Sequence, residues 1–213
     1  ELFRPYVEEG RNIVCFSISN SMSSSGNVMQ LAAEELNAQD LITVIDSANL
    51  STGIGLLVIE AAILAQNNKT AAEISVAVEN LKPYVRASFV VDTLTYLHRG
   101  GRCSAIAAMA GGLLKLHPQI IVEHGAMKPT KKYRGKMDSV ILSYVKDMEP
   151  ALKHARPDRV FITHSGCEPT IINAVRSYLE GLGIFREILE TRAGGVISSH
   201  CGPGTLGVLF IES

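Results

Sequence analysis

The chain has 213 residues, of which 46% are hydrophobic and 19% charged, and a formal net charge of -1 at pH 7. That balance provides apolar surface for one large core or two modest ones, excludes a disordered chain, and gives no general pull toward nucleic acid or anionic membrane. Four cysteines, Cys15, Cys103, Cys167 and Cys201, stand without C-x-x-C or Cys/His spacing, which argues against a zinc site or a disulfide framework and fits a reducing compartment, the cytoplasm. The apolar stretch 54–65 falls short of the roughly 18 to 20 residues of a bilayer span and is interrupted by Glu60, so no stable membrane insertion is expected. The opening Glu-Leu-Phe-Arg-Pro-Tyr-Val has neither an initiator Met nor a signal-peptide pattern and reads as the middle of a helix, as in a chain that begins inside a larger protein.

Residues 13–18 form a short β-branched run, 19–27 a polar Ser-rich loop and 28–36 a segment rich in helix formers. Residues 41–45 repeat the strand signal, 46–55 form a Ser/Gly loop and 56–66 a second helix, so the first third alternates β and α and a parallel sheet is the natural packing. Thr70 with Glu73 three residues on is a capping-box arrangement that opens a helix running to about Pro83, and a strand over 88–91 follows. Residues 104–116 are almost wholly apolar and small, so that predicted helix is buried on nearly every side or lines a pocket. Then come a hairpin over 120–123 and 127–133 turning at His124-Gly125, an amphipathic segment 136–152, a strand 159–164, a helix 170–182 and a strand 186–189. A final pair of strands, 196–199 and 206–211, closes the chain. The expected fold class is α/β, in two α/β domains: residues 1–87 with a mainly parallel sheet and 88–213 with a mixed one.

Ser19-Asn20-Ser21-Met22-Ser23-Ser24-Ser25-Gly26 lies at the carboxyl end of the first strand, where open α/β sheets bind ligands and unpaired N–H groups of the next helix point outward. An anion site and an ordinary N-cap both fit it. Asp46-Ser47 and Ser51-x-Gly53-x-Gly55 hold the equivalent place after the second strand without the G-x-G-x-x-G spacing of a dinucleotide site; Asp46 satisfying loop N–H groups is the simpler reading. Arg99-Gly100-Gly101-Arg102 sets two guanidinium groups beside the apolar helix, either as a solvated loop or for bidentate capture of carboxylate or phosphate. Lys128, Lys131, Lys132, Arg134 and Lys136 form a second basic cluster, a solvated face or a contact for a phosphate-bearing partner. His200, after a predicted buried strand and before Cys201-Gly202-Pro203-Gly204, is placed near a strand end, where it is structural or meets an acid. The other histidines lack metal-ligand spacing, and neither metal nor cofactor is expected.

Phe89-Val90-Val91-Asp92-Thr93-Leu94-x-Tyr96-Leu97-x-Arg99-Gly100-Gly101-Arg102, Lys132-Tyr133-Arg134-Gly135-Lys136 and His200-x-Gly202-Pro203-Gly204-x-x-Gly207 follow in order after the Ser-rich loop and Val44-Ile45-Asp46-Ser47. Together these blocks resemble the DegV family across essentially the whole chain. The Ser-rich loop is similar to the family's Ser-Ser-x-Leu-Ser-Gly-Thr, with Ser23 retained and Ser24 and Ser25 standing where the family has Gly and Thr. The family's opening α/β segment, whose Thr-Ser-x-Pro motif supplies a Thr to the ligand head group, has no counterpart in these residues.

The resemblance implies a long-chain fatty acid held between two α/β domains, its carboxylate met by Ser23, Ser24, Arg99, Arg102 and His200 and its acyl chain by Ile106, Met109 and Leu113. It also implies a partner, the catalytic subunit of a bacterial fatty-acid kinase, which phosphorylates the carboxylate for phospholipid synthesis. Arg102 and Arg134 then dock the kinase or balance the phosphate, and the chain is a carrier rather than an enzyme. An acyl chain of about sixteen carbons, at roughly 0.8 kcal/mol per methylene, contributes about 12 kcal/mol gross, so the tail supplies affinity. The carboxylate, costly to remove from water, needs several partners and supplies orientation.

A competing expectation is an acyl hydrolase with Ser23 as nucleophile and His200 as base, although there is no G-x-S-x-G elbow and only Asp46 or Asp92 offers an orienting acid. A DNA-binding regulator acting through residues 128–136 is a third; the near-neutral charge and the lack of a reading motif weigh against it.

Overall fold

The β-branched runs become strands. In the computed structural model, which describes residues 1–101 and 116–213, Ile13–Ser17 (β1) and Ile42–Asp46 (β2) lie parallel, in register from Ile13 opposite Ile42 to Ser17 opposite Asp46. Parallel neighbours need a crossover, and the chain between these two carries one as helix Ser25–Glu35 (α2); a short helix, Arg4–Glu8 (α1), precedes β1. Thr52–Gln66 (α3) and Ala71–Leu81 (α4) pack against each other, and α4 also touches both strands. Ala33, Ala38 and Ile42 are buried together under Ile13, Leu36 and Val44.

Two compact units emerge among the described residues: 1–83 with 124–126, and 84–123 with 127–213. The second is built on six strands, Val85–Val90 (β3), Leu116–Glu123 (β4), Ala126–Arg134 (β5), Ala155–His164 (β6), Glu187–Arg192 (β7) and Leu206–Glu212 (β8), in the order β5-β4-β3-β8-β6-β7. β6 and β7 run parallel, while β3 pairs antiparallel with β4 and β8, and β6 with β8. The unit's α-helices among the described residues are Thr95–Gly100 (α5), Met137–Asp147 (α6), Glu149–Leu152 (α7), Pro169–Gly181 (α8) and Gly195–Cys201 (α9). Val140 and Tyr144 of α6 and Val175 and Leu179 of α8 are buried in one core with Val160, Ile162, Val208 and Phe210.

Several elements depart from the sequence reading. Residues 196–199, expected as a strand, lie in α9, so His200 occupies the last turn of a helix rather than a strand end. The two β-branched residues there, Val196 and Ile197, mislead because a seven-residue helix is fixed by its packing on α5, not by propensity. α3 starts at Thr52, a turn before the expected 56; Gly53 reads as a loop residue, yet a Cβ there would fall 2.1 Å from Asn49 Oδ1, so the glycine serves close packing. The segment 136–152 breaks into α6 and α7, with Pro150 in the first turn of the second. Of the predicted apolar helix over 104–116, residues 104–115, with Ile106, Met109 and Leu113, lie outside the described residues, as does Arg102, and Leu116 opens β4 instead. Among the described residues no helix is long and apolar enough to cross a membrane.

Candidate functional site

In the first unit the Ser-rich loop joins the carboxyl end of β1 to α2. Ser24 is the N-cap of α2, but its backbone (φ -86°, ψ 9°) is not the extended form of a capping residue and its side chain caps nothing. Ser23, half-buried, instead accepts the N–H of Ser25 on its Oγ at 3.2 Å. The first-turn N–H groups of Gly26 and Asn27 stand outside the helix's own ladder, which suits an anion.

Two hydroxyls in this region stand out, that of Ser25 within the Ser-rich loop and that of Ser17, which the sequence did not single out. Ser17 Oγ and Ser25 Oγ are buried without a hydrogen-bond partner among the described residues. For Ser17 the signal is its position at the last residue of β1; Ser25 is the first residue of α2.

Asp46 does what the simpler reading required: its Oδ1 accepts the N–H of Ala48 at 2.8 Å and of Asn20 at 3.3 Å, while its carbonyl accepts Lys82 Nζ at 2.9 Å. Ala48 and Ser51 both have φ of 49°, a region costly for side-chain-bearing residues, and Ser47 and Asn49 hold that backbone by reciprocal bonds.

In the second unit α5 carries Arg99, which is exposed, and ends on Gly101 in the left-handed region. α9 packs on α5 and brings half-buried His200 against Gly100, where a Cβ would fall 2.1 Å from His200 Nδ1. Gly202, at φ 84°, lies as close to Tyr96, since a Cβ there would meet the ring at 2.4 Å. Thus the Arg-Gly-Gly and His-x-Gly-Pro-Gly blocks, a hundred residues apart in the chain, interlock through glycines that leave room for a ring.

Two cysteines of this unit are held in the thiol form. Burial pushes Cys201 up to about 12, and burial, followed by Asp138 and Glu168, pushes Cys167 up to about 11. Asp92 does not orient His200: its Oδ1 lies 3.4 Å from His117 Nδ1, and the His117 ring is set between the carbonyls of Asp92 at 3.1 Å and Gly135 at 3.0 Å. Of the two acids considered for a hydrolase, Asp92, in the same unit as His200, therefore lacks the bond that role requires.

Of the basic cluster, Lys128 pairs with Glu123 and Lys131 with Asp147, which removes much of the positive field a nucleic acid would need. Lys132, Arg134 and Lys136 remain exposed at the end of the edge strand β5.

These features define a two-unit α/β protein whose candidate polar groups lie in turns at strand and helix ends. The chain belongs to the DegV family, an uncharacterised protein family whose model matches residues 1–213. A DegV domain-containing protein of Clostridium perfringens is 33% identical over 215 residues, covering 99% of this chain and 73% of that protein. A DegV family protein from Thermus thermophilus, solved for its fatty acid binding, matches with a TM-score of 0.88 and 27% identity over 100% of this chain and 75% of that one. The fatty acid kinase B3 protein of Streptococcus pneumoniae, loaded with linoleic acid, has a TM-score of 0.83 over 100% of this chain and 75% of that one; at 20% identity it shows the fold alone.

Proposed function

We propose that this protein binds a long-chain fatty acid and presents its carboxylate to a separate fatty-acid kinase, without turning over a substrate itself. The observation that carries the reading is the whole-chain likeness, in sequence and in fold, to the fatty-acid-binding protein of Thermus thermophilus. Ser23 and Ser24 of the first unit, and Arg99, Arg102 and His200 of the second, are the groups we assign to the carboxylate, and Ile106, Met109 and Leu113 to the acyl chain. The first-turn N–H groups of α2 favour an anion beside Ser23, and the contact of His200 with Gly100, the residue after Arg99, supports assigning both side chains to one head group.

Arg102 and Arg134 are assigned to docking the kinase or balancing phosphate. A carboxylate oxygen would attack the terminal phosphorus of a nucleoside triphosphate, forming an acyl phosphate as the bond to the departing diphosphate breaks. The product would feed phospholipid synthesis in the cytoplasm. The likeness to a kinase B3 protein supports this finer reading at the level of fold.

Native mass spectrometry of the freshly purified protein, followed by organic extraction, tests the proposal. A long-chain fatty acid at one per protein is the expected result, and its length reports the pocket. A protein that emerges empty and ignores added fatty acid sinks it.

A further inference from the structure

Ser19 uses every polar atom it has. Its N–H donates to Asn49 O at 2.9 Å, and its carbonyl accepts Met22 N–H at 2.8 Å and Ser23 N–H at 3.0 Å. Its hydroxyl donates to Gly125 O at 2.7 Å and accepts Ser21 N–H at 3.3 Å. The residue is 1% exposed, so water cannot replace a partner that is lost. One residue thereby joins three segments of the first unit: the Ser-rich loop, the loop after β2, and the His124-Gly125 turn.

The turn is shaped for this contact. Gly125 has φ of 76°, and a Cβ on it would come within 2.7 Å of Ser19 Oγ and 3.6 Å of Ser21 Oγ. From the other side Asp46 Oδ1 holds Asn20 N–H, the residue between Ser19 and Ser21. The loop that carries Ser23 is therefore clamped at its base, ahead of α2.

We infer that Ser19 is a positioning residue for the head group: through its carbonyl it aims the backbone of Ser23, and through Gly125 it fixes the loop, without itself touching ligand. This rests on the fatty-acid reading above. A carboxylate is oriented by donors held in place before it arrives, whereas an acyl tail tolerates small displacements, so loosening this loop weakens capture of the acid head and leaves the tail's contribution intact.

Dissociation constants for hexadecanoate and hexadecanol, measured on the wild-type protein and on Ser19→Ala, separate the two contributions, because the alcohol has the same tail and no carboxylate. The expected result is that Ser19→Ala weakens hexadecanoate by about tenfold and hexadecanol by less than about twofold. An equal loss for both ligands, as a merely structural residue would give, overturns the inference, and so does no loss at all. If the alanine variant does not fold, Ser19→Cys, similar in volume and a weak donor, is read against the same criterion. A wild-type protein that binds neither ligand refutes the fatty-acid reading itself and takes this inference with it.

Discussion

Tyr144 is fully buried, and its hydroxyl lies 2.8 Å from both Ser88 Oγ and Ser88 O and 3.0 Å from Val208 N–H. Burial raises its pKa well above the ordinary 10, outweighing the bonds from Ser88 and Val208, so the group remains a neutral hydroxyl. It donates to one carbonyl and accepts from two donors, stitching α6 to β3 and β8. Tyr144→Phe takes the hydroxyl from a buried strand N–H and from the Ser88 carbonyl, and leaves Ser88 Oγ only its weak bond to Met148 Sδ, so the expected loss is about 2 to 3 kcal/mol. Ser17 is as deeply buried, at 1% exposed, but its hydroxyl bonds to nothing among the described residues. Ser17→Ala should therefore change stability by less than about 0.5 kcal/mol in the absence of ligand. Urea unfolding of both variants measures the contrast, and equal losses would mean that the Tyr144 network contributes no more than its ring. Neither behaviour is visible in the sequence, because a hydroxyl's worth depends on partners brought from β3, α6 and β8.

The start of α4 is the element most fully written in the chain. Thr70 Oγ1 accepts Glu73 N–H at 3.3 Å, and Glu73 Oε2 accepts Thr70 N–H at 2.9 Å, the capping box that the spacing of these residues announced. The Lys69 ammonium, which bonds Glu73 Oε1 at 2.8 Å, acts first and the Thr70 N–H and hydroxyl next to hold the Glu73 carboxyl down to about 2 from the ordinary 4.5. A carboxyl more acidic in the fold than in the unfolded chain adds stability above about pH 4.5 that is lost as the pH falls toward about 2. Because the group is fully exposed and screened, the effect is small, and a difference measurement is needed. Helicity of wild type and Glu73→Gln, followed from pH 5 to about 2, should fall more steeply for wild type; parallel curves would remove the capping box as a source of acid sensitivity. α9 is the opposite case. Its Ser198 and Ser199 hydroxyls bond back to Ala193 O and Val196 O, and its seven residues pack on α5. Caps and alternation are local and were legible; a short helix held by a glycine contact a hundred residues away was not, and with it the placement of His200 was misread.

At the scale of the molecule the last strand is central. β8 lies between β3 and β6, pairing Val85 with Ile211 and Ile162 with Val208, and every residue from Leu206 to Ile211 is buried. The alternation of β and α in the first third discloses its parallel pair, because each strand's neighbour is the next strand in the chain. The order of the second sheet is not disclosed: β8 is an apolar run like any buried strand, and nothing local says that it inserts between strands more than forty and more than a hundred residues earlier. For the same reason the Arg-Gly-Gly and His-x-Gly-Pro-Gly blocks could be named from the sequence but not brought together, since their meeting depends on β8 returning beside β3 so that α9 reaches α5. The consequence for stability is that a defect in β8 is shared by both flanks. Phe210, fully buried in the core with Val160 and Leu179, is a direct probe. Phe210→Ala should cost about 3 to 5 kcal/mol in denaturant unfolding. Hydrogen exchange should then show protection falling together in β3, β6 and β8, because each flanking strand loses the neighbour that holds its N–H groups. Protection lost in β8 alone would show that β3 and β6 keep their order without it, and that the second unit is organised around its helices instead.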